Sequence, residues 1–144
     1  EGNEQRRYGN HLFIQTTMNH KTTLVLGDLL AIAILTVIGF ATHGEADISY
    51  LPRMAASFLP VTFAWFMLAP WFGLFDQTII INPRNLWRIA LVLLFAAPLA
   101  TTLRAVLLGS TALPLFTFVL GSTSAAGMIL WRWVYILIAK RTAK

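Results

Sequence analysis

No cysteine occurs in the 144 residues, which excludes disulfides, thiolate metal sites and iron–sulfur clusters and leaves the redox compartment undetermined. Charge is scarce as well: 12% of the residues are charged, 6 acidic against 11 basic. That is too little to clothe an ordinary soluble domain whose residues are 57% hydrophobic, with a mean hydropathy of +0.67. Motifs of high specificity are missing too. There is no G-x-S-x-G, no P-loop, no dinucleotide fingerprint and no H-E-x-x-H, so neither an enzyme nor a bound cofactor or metal is expected. The net charge of +5 does not point to nucleic acid, because the basic residues form short clusters beside apolar runs rather than a continuous stripe.

What the chain does have is long apolar runs. The first, Thr22 to Thr42, is long enough to cross a hydrocarbon core of roughly 30 Å at about 1.5 Å per residue. A second extends from about Met54 to Phe75, a third from Leu86 to Leu108 and a fourth from Ala112 to Ile138. The fold class expected is all-α membrane: four transmembrane helices in two hairpins, forming one domain over residues 22–139. A polar tail (1–21) precedes it and a basic tail (140–144) follows. Met18 is a candidate native start, which would make the residues before it an upstream extension. Lys21 ahead of the first run resembles the front of a signal peptide, with Gly39 and Ala41 near a possible cut, but the run is read as a retained span. In the tail only Leu12-Phe13-Ile14 is apolar enough to touch a membrane surface.

Pro60 and Pro70 remove backbone donors from the second run and should make its helix irregular. The second connection, Gly73 to Asn85, is apolar enough at Thr78 to Ile81 to lie at the interface. The short Gly109-Ser110-Thr111 turn makes the third and fourth helices antiparallel neighbours. The fourth run exceeds a perpendicular crossing and should tilt or project. Leu51-Pro52 and Leu113-Pro114 hint at tandem hairpins related as parallel repeats, although the residues around them do not match.

Basic residues decide the orientation. Arg6, Arg7, Lys21, Arg84, Arg88, Lys140, Arg141 and Lys144 fall on one side, against Arg53 and Arg104 on the other. Both termini are therefore expected in the cytoplasm, with the protein in the cell inner membrane. Trp71, Trp87, Trp131, Trp133 and Tyr135 then lie near the cytoplasmic boundary, as an aromatic belt would.

The stretches GDLLAIAILTVIGFATHGE, LPRMAASFLPVTFAWFM and TTLRAVLLGSTALPLFTFVL resemble the bacterial and archaeal membrane proteins grouped as domain of unknown function 3054. The resemblance covers about Thr22 to Trp133, with Asp28, Gly39, His43, Gly44, Arg104, Gly109 and the Trp131-Arg132 pair matching the family pattern. It implies a four-helix integral membrane protein and carries no activity. The extension before Met18 and a larger second connection depart from that pattern.

Asp28 lies six residues past Thr22, roughly 9 Å inside the boundary, and shares its helical face with Ala31, Leu35 and Gly39. Arg132 lies six residues before Ile138 on a helix running the other way, on a face with Met128, Ala125 and Gly121. A buried Asp28–Arg132 ion pair is the preferred reading. The alternatives are an Arg132 that snorkels to the headgroups and an Asp28 that carries a proton or cation; a relay, however, needs further acids or histidines in the spans, and there are none.

Arg104 falls near the external boundary, where Glu45 and Asp47, with His43 close by, are its expected partners. A bound anion or lipid phosphate is the alternative. Ala97 and Ala100 on the third helix should pack against Gly121 and Ala125 on the fourth, with Ala100 level with Ser122. His11, His20 and His43 all lie outside the central runs, which disfavours haem or chlorophyll ligation.

The expected function is a small non-catalytic integral membrane subunit or assembly factor packing against a larger complex, with respiratory or photosynthetic complexes as candidate hosts. The expected partners are the lipid bilayer and other membrane protein subunits. Phe58, Phe63, Trp65, Phe66 and Phe72 are candidate contacts for a partner, lipid or apolar pigment. The alternative is a minimal oligomeric transporter or channel using Asp28 and Arg104.

Overall fold

A computed structural model describes the backbone of residues 2–142 and the side chains of residues 20–141. Five α-helices account for most of it: α1 (Gly2–Thr42), α2 (Leu51–Leu68), α3 (Gln77–Ile80), α4 (Trp87–Leu108) and α5 (Pro114–Thr142). No strand occurs among the described residues. Four helices are long and apolar enough to cross a membrane, over His20–Thr42, Ile48–Phe72, Pro83–Leu108 and Pro114–Arg141.

The segment expected as a separate polar tail is not separate. It continues the first span as one helix of 41 residues, about 60 Å long. No proline interrupts residues 1–21, and a helix already nucleated by the apolar run extends at little further cost. The side chains of Arg6, Arg7, His11, Leu12-Phe13-Ile14 and Met18 lie outside the described residues. At the other terminus α5 likewise runs on through Lys140 and Arg141, whose charges complement the carbonyl end of the helix.

The α-helix of the second run stops early, at the second of the two prolines. Pro52 opens α2 in its first turn, where a missing N–H costs nothing. Pro60 is accommodated inside the helix, whereas Pro70 converts the chain to a 3₁₀ turn over Ala69–Phe72. Gly73, at φ +70°, then takes a left-handed conformation that side chains disfavour and reverses the chain. The Leu74 N–H closes the turn on the Ala69 carbonyl at 3.1 Å. Asp76 caps α3 by accepting from the Thr78 N–H at 2.9 Å and its hydroxyl at 2.8 Å. These bonds hold the exposed Asp76 carboxyl below the ordinary aspartate range. α3 does not simply lie at the interface: Ile80 is buried against Leu24 and Tyr135 and closes one end of the bundle.

The spans form a ring in which α1 packs on α2 and α5, and α4 also packs on α2 and α5. The core is built from Ile32 of α1, Ala64 and Trp65 of α2, Val92 and Ala96 of α4, and Met128 of α5. Small residues set the spacing on two sides. On α5, a Cβ at Gly127 would overlap the Leu35 side chain of α1. A Cβ at Gly121 would stand 3.1 Å from that of Ala97 on α4.

The α4–α5 register departs from the expected one. Ala97 faces Gly121 and Thr101 bonds Thr117 at 2.9 Å, so facing residue numbers sum to 218 rather than the 222 of Ala100 with Ser122. The offset is one helical turn. Residues 109–113 are not helical, and Pro114 begins α5 level with Arg104, so the connection folds back beside α4 instead of standing beyond it. Ala100 turns into the core and Ser122 is exposed, while Ala125 packs against the core from the edge of the α4–α5 seam.

Candidate functional site

Asp28 is 0% exposed although it lies within an apolar span, so every lone pair of its carboxylate needs a partner from the protein. Arg132, 3% exposed, supplies two. Its Nε–H donates to Asp28 Oδ1 at 2.9 Å and its Nη2–H to Oδ2 at 2.6 Å, the parallel fork that guanidinium geometry favours. The indole N–H of Trp65 adds a donor to Oδ2 at 3.0 Å, and that of Trp131 adds one to Oδ1 at 3.0 Å. Each oxygen thus accepts two N–H bonds, which fills the capacity of a carboxylate.

Arg132 is also held from its far side. Its Nη1–H donates to the Leu74 carbonyl at 2.8 Å, and the Phe75 ring lies 5.4 Å from its guanidinium carbon. Both groups reach it only because Pro70 and Gly73 end α2 in a tight reversal. The site therefore joins α1, α2, the segment after α2 and α5, that is, three of the four spans. One layer nearer the chain termini, His20 Nδ1 and the Tyr135 hydroxyl form a hydrogen bond of 2.9 Å, again joining α1 to α5.

Gly27 makes room for this arrangement. Trp131 crosses α1 where a Cβ at residue 27 would overlap its ring, so the dipeptide Gly27-Asp28 receives Trp131-Arg132 as a unit. By contrast Gly39, singled out as a small residue on the Asp28 face, has nothing near it.

Two aromatic expectations are corrected. Trp65 is wholly buried and is not a surface for a partner or pigment; Phe58, Phe66 and Phe72 pack partly against the core, and only Phe63 of that set is exposed. Trp131 and Tyr135 are drawn inward by their hydrogen bonds, whereas Trp71, Trp87 and Trp133 are exposed. Trp65 had a legible signal. It stands fourteen residues into α2 from Leu51, as Asp28 stands fourteen residues back from Thr42, so the two ends of that hairpin are level (65 − 51 = 42 − 28).

The external cluster is also rearranged. Arg104 does not pair with Glu45 or Asp47: its Nε–H donates to Ser57 Oγ at 2.8 Å and its guanidinium stacks 4.7 Å from the Phe116 ring centre. Glu45 instead approaches Arg53, at 4.0 Å. Asp47 is engaged in capping Ser49, at 3.0 Å, at the head of the short turn Ile48–Tyr50. His43 is exposed near Thr42, and no group of three metal-ligating side chains occurs among the described residues. The physical reason is reach. The α4–α5 connection folds back and brings Phe116 of α5 to Arg104, α2 presents Ser57 to it, and a local cap already satisfies Asp47.

The α4–α5 seam leaves an open groove of about 520 Å³ lined by Leu93, Ala97, Pro98, Thr101, Phe118 and Gly121. Its walls are almost wholly apolar, and neither arginine described above enters it.

Four apolar spans closed around a saturated ion pair define a multi-pass helical membrane protein with an internal polar lock. The chain matches the family described as "Protein of unknown function (DUF3054)" over residues 25–135, most of its length, and belongs to that family. The match includes Asp28, Trp65, Arg104, Trp131 and Arg132. No curated protein and no solved structure gives a significant match.

Proposed function

We propose that this protein is a non-catalytic subunit or assembly factor of a larger membrane complex, with its termini in the cytoplasm. The observation that carries the reading is the contrast between a closed polar centre and an open apolar seam. Asp28 has no free lone pair for a proton or cation and no exposure, whereas the α4–α5 groove presents small and apolar residues suited to a helix or an acyl chain. A transporter would need a polar path joining Asp28 to Arg104. The core between them is built from Ile32, Ala64, Val92 and Ala96.

Purification of the tagged protein in mild detergent tests the proposal. Stable co-elution with other membrane subunits, lost when the exposed groove residue Ser122 is enlarged to Leu, is the expected result. A homo-oligomer that catalyses substrate flux in liposomes would overturn it. The orientation rests on the distribution of basic residues. A reporter active only outside the cytoplasm should give signal when fused after Gly109 and none when fused after Lys144; the opposite pattern reverses the topology.

A further inference from the structure

Arg104 lies four residues before the end of α4, about 6 Å inside the apolar span, at the end of the bundle away from the termini. A guanidinium offers five N–H donors. Only Nε–H is committed, to Ser57 Oγ; among the described residues neither Nη1 nor Nη2 has a protein acceptor, and neither nitrogen is sealed from the surface. Ser57 connects this side chain to the next one. Its hydroxyl donates to the Arg53 carbonyl, one turn back along α2, at 3.2 Å while accepting from Arg104, so Arg104 is held beside the turn of α2 that carries Arg53.

The charges facing Arg104 are Arg53 and Glu45. Glu45 is engaged only loosely, 4.0 Å from Arg53, whose side chain is 62% exposed. Two cations therefore meet one carboxylate beside Arg104, while Asp47, the other acid at this end, is engaged in its cap on Ser49. Phe116 covers one face of the planar Arg104 fork and limits its movement. From about one turn inside a span, an arginine stem is long enough to carry its guanidinium to the phosphodiester layer of a bilayer.

We propose that Arg104 and Arg53, set by Ser57 and Phe116, form a phosphate-binding site that takes the phosphodiester of a phospholipid headgroup. The free Nη donors of Arg104 match two phosphate oxygens, and Arg53 supplies the second positive charge. This site is independent of the subunit reading above, since it requires a lipid and no protein partner.

The test uses the full chain, delipidated in detergent, with thermal unfolding followed during titration with phosphatidylglycerol, with dioleoylglycerol and with inorganic phosphate. Phosphatidylglycerol should raise the midpoint saturably and dioleoylglycerol should not. Arg104→Lys keeps the charge and loses the fork; it and Arg53→Gln should each weaken the apparent affinity about tenfold, the usual effect of losing a hydrogen bond to a charged group. Arg84→Gln, at the opposite end, should leave it unchanged. If inorganic phosphate reproduces the shift through the same two arginines, the ligand is a soluble phosphate bound by the same chemistry. Wild-type affinity in both Arg53→Gln and Arg104→Lys, or an equal shift with dioleoylglycerol, would overturn the site. Arg53 is exposed, so its replacement keeps the test decisive even if the Arg104 variant does not fold.

Discussion

Arg132 and Arg104 enter the apolar spans from opposite ends of the bundle, and the protein treats them in opposite ways. Arg132 is sealed: it forks onto Asp28, bonds the Leu74 carbonyl and lies on Phe75. Arg104 keeps a single side-chain hydrogen bond, rests on Phe116 and leaves its outer nitrogens open. The difference follows from what each charge can reach. A sealed guanidinium must find a carboxylate and satisfy its remaining donors from the protein, which requires several elements to converge. An open one needs only a stem among apolar groups and a head in the polar layer. The first arrangement ties helices together; the second leaves a charge available to something outside the protein.

The largest effect should come from breaking the sealed end. We predict that Asp28→Asn or Arg132→Gln, each leaving a buried charge without its partner, costs about 3 to 5 kcal/mol, and that the double replacement costs clearly less than the sum. Denaturation in detergent measures all three variants; additive losses would mean that the two side chains do not interact. Exchanging the charges, Asp28→Arg with Arg132→Asp, should recover little. The indole N–H groups of Trp65 and Trp131 would then point at a guanidinium that cannot accept them, and the Leu74 carbonyl would face a carboxylate.

Next in size is Trp65→Phe, which keeps an aromatic ring in the core and removes one N–H donor from a charged acceptor, at about 1.5 to 3 kcal/mol. A loss no greater than that of an exposed substitution would indicate that the carboxylate does not depend on the indole. Gly27→Ala should cost about 1 to 3 kcal/mol by forcing the Trp131 ring off α1. The matching control, Gly39→Ala, meets nothing and should be neutral or slightly stabilising because alanine favours helix. If both changes behave alike, the close fit of Trp131 on Gly27 has no energetic weight.

These same residues mark where sequence reasoning succeeds and where it stops. Span number follows directly from run length, because a helix must bury its whole perimeter in lipid or protein. Counting residues inward from the boundaries brings Asp28 and Arg132 to one depth. Depth counting does not tell an indole that faces the headgroups from one that turns inward, since Trp131 and Trp133 differ by two positions and only helical phase separates their fates. The Leu74 carbonyl is not legible for another reason: it reaches Arg132 through a backbone reversal whose geometry depends on Pro70 and Gly73 together. Counting outward from the turn puts the α4–α5 register one turn off, because residues 109–113 fold back along α4, a path that chain length alone does not specify. Depth alone groups Glu45 and Asp47 with Arg104, but Asp47 is committed to a local cap on Ser49 just before α2 and Glu45 approaches Arg53.

The smallest expected effect completes the comparison. Replacing arginine by lysine preserves charge and removes the planar fork, so it separates the two roles directly. At the sealed end, Arg132→Lys leaves one ammonium to serve both carboxylate oxygens and the Leu74 carbonyl, and it should forfeit most of the stability lost in Arg132→Gln. At the open end, Arg104→Lys loses one bond to Ser57 and contact with Phe116, but the ammonium can extend into the polar layer beside Arg53. The cost there should stay below about 1 kcal/mol. Parallel denaturation of the two variants in the same detergent gives the answer. A loss at Arg104 as large as that at Arg132 would mean that Ser57 and Phe116 hold the helices together as firmly as Asp28 does, and that the open end is a second structural lock.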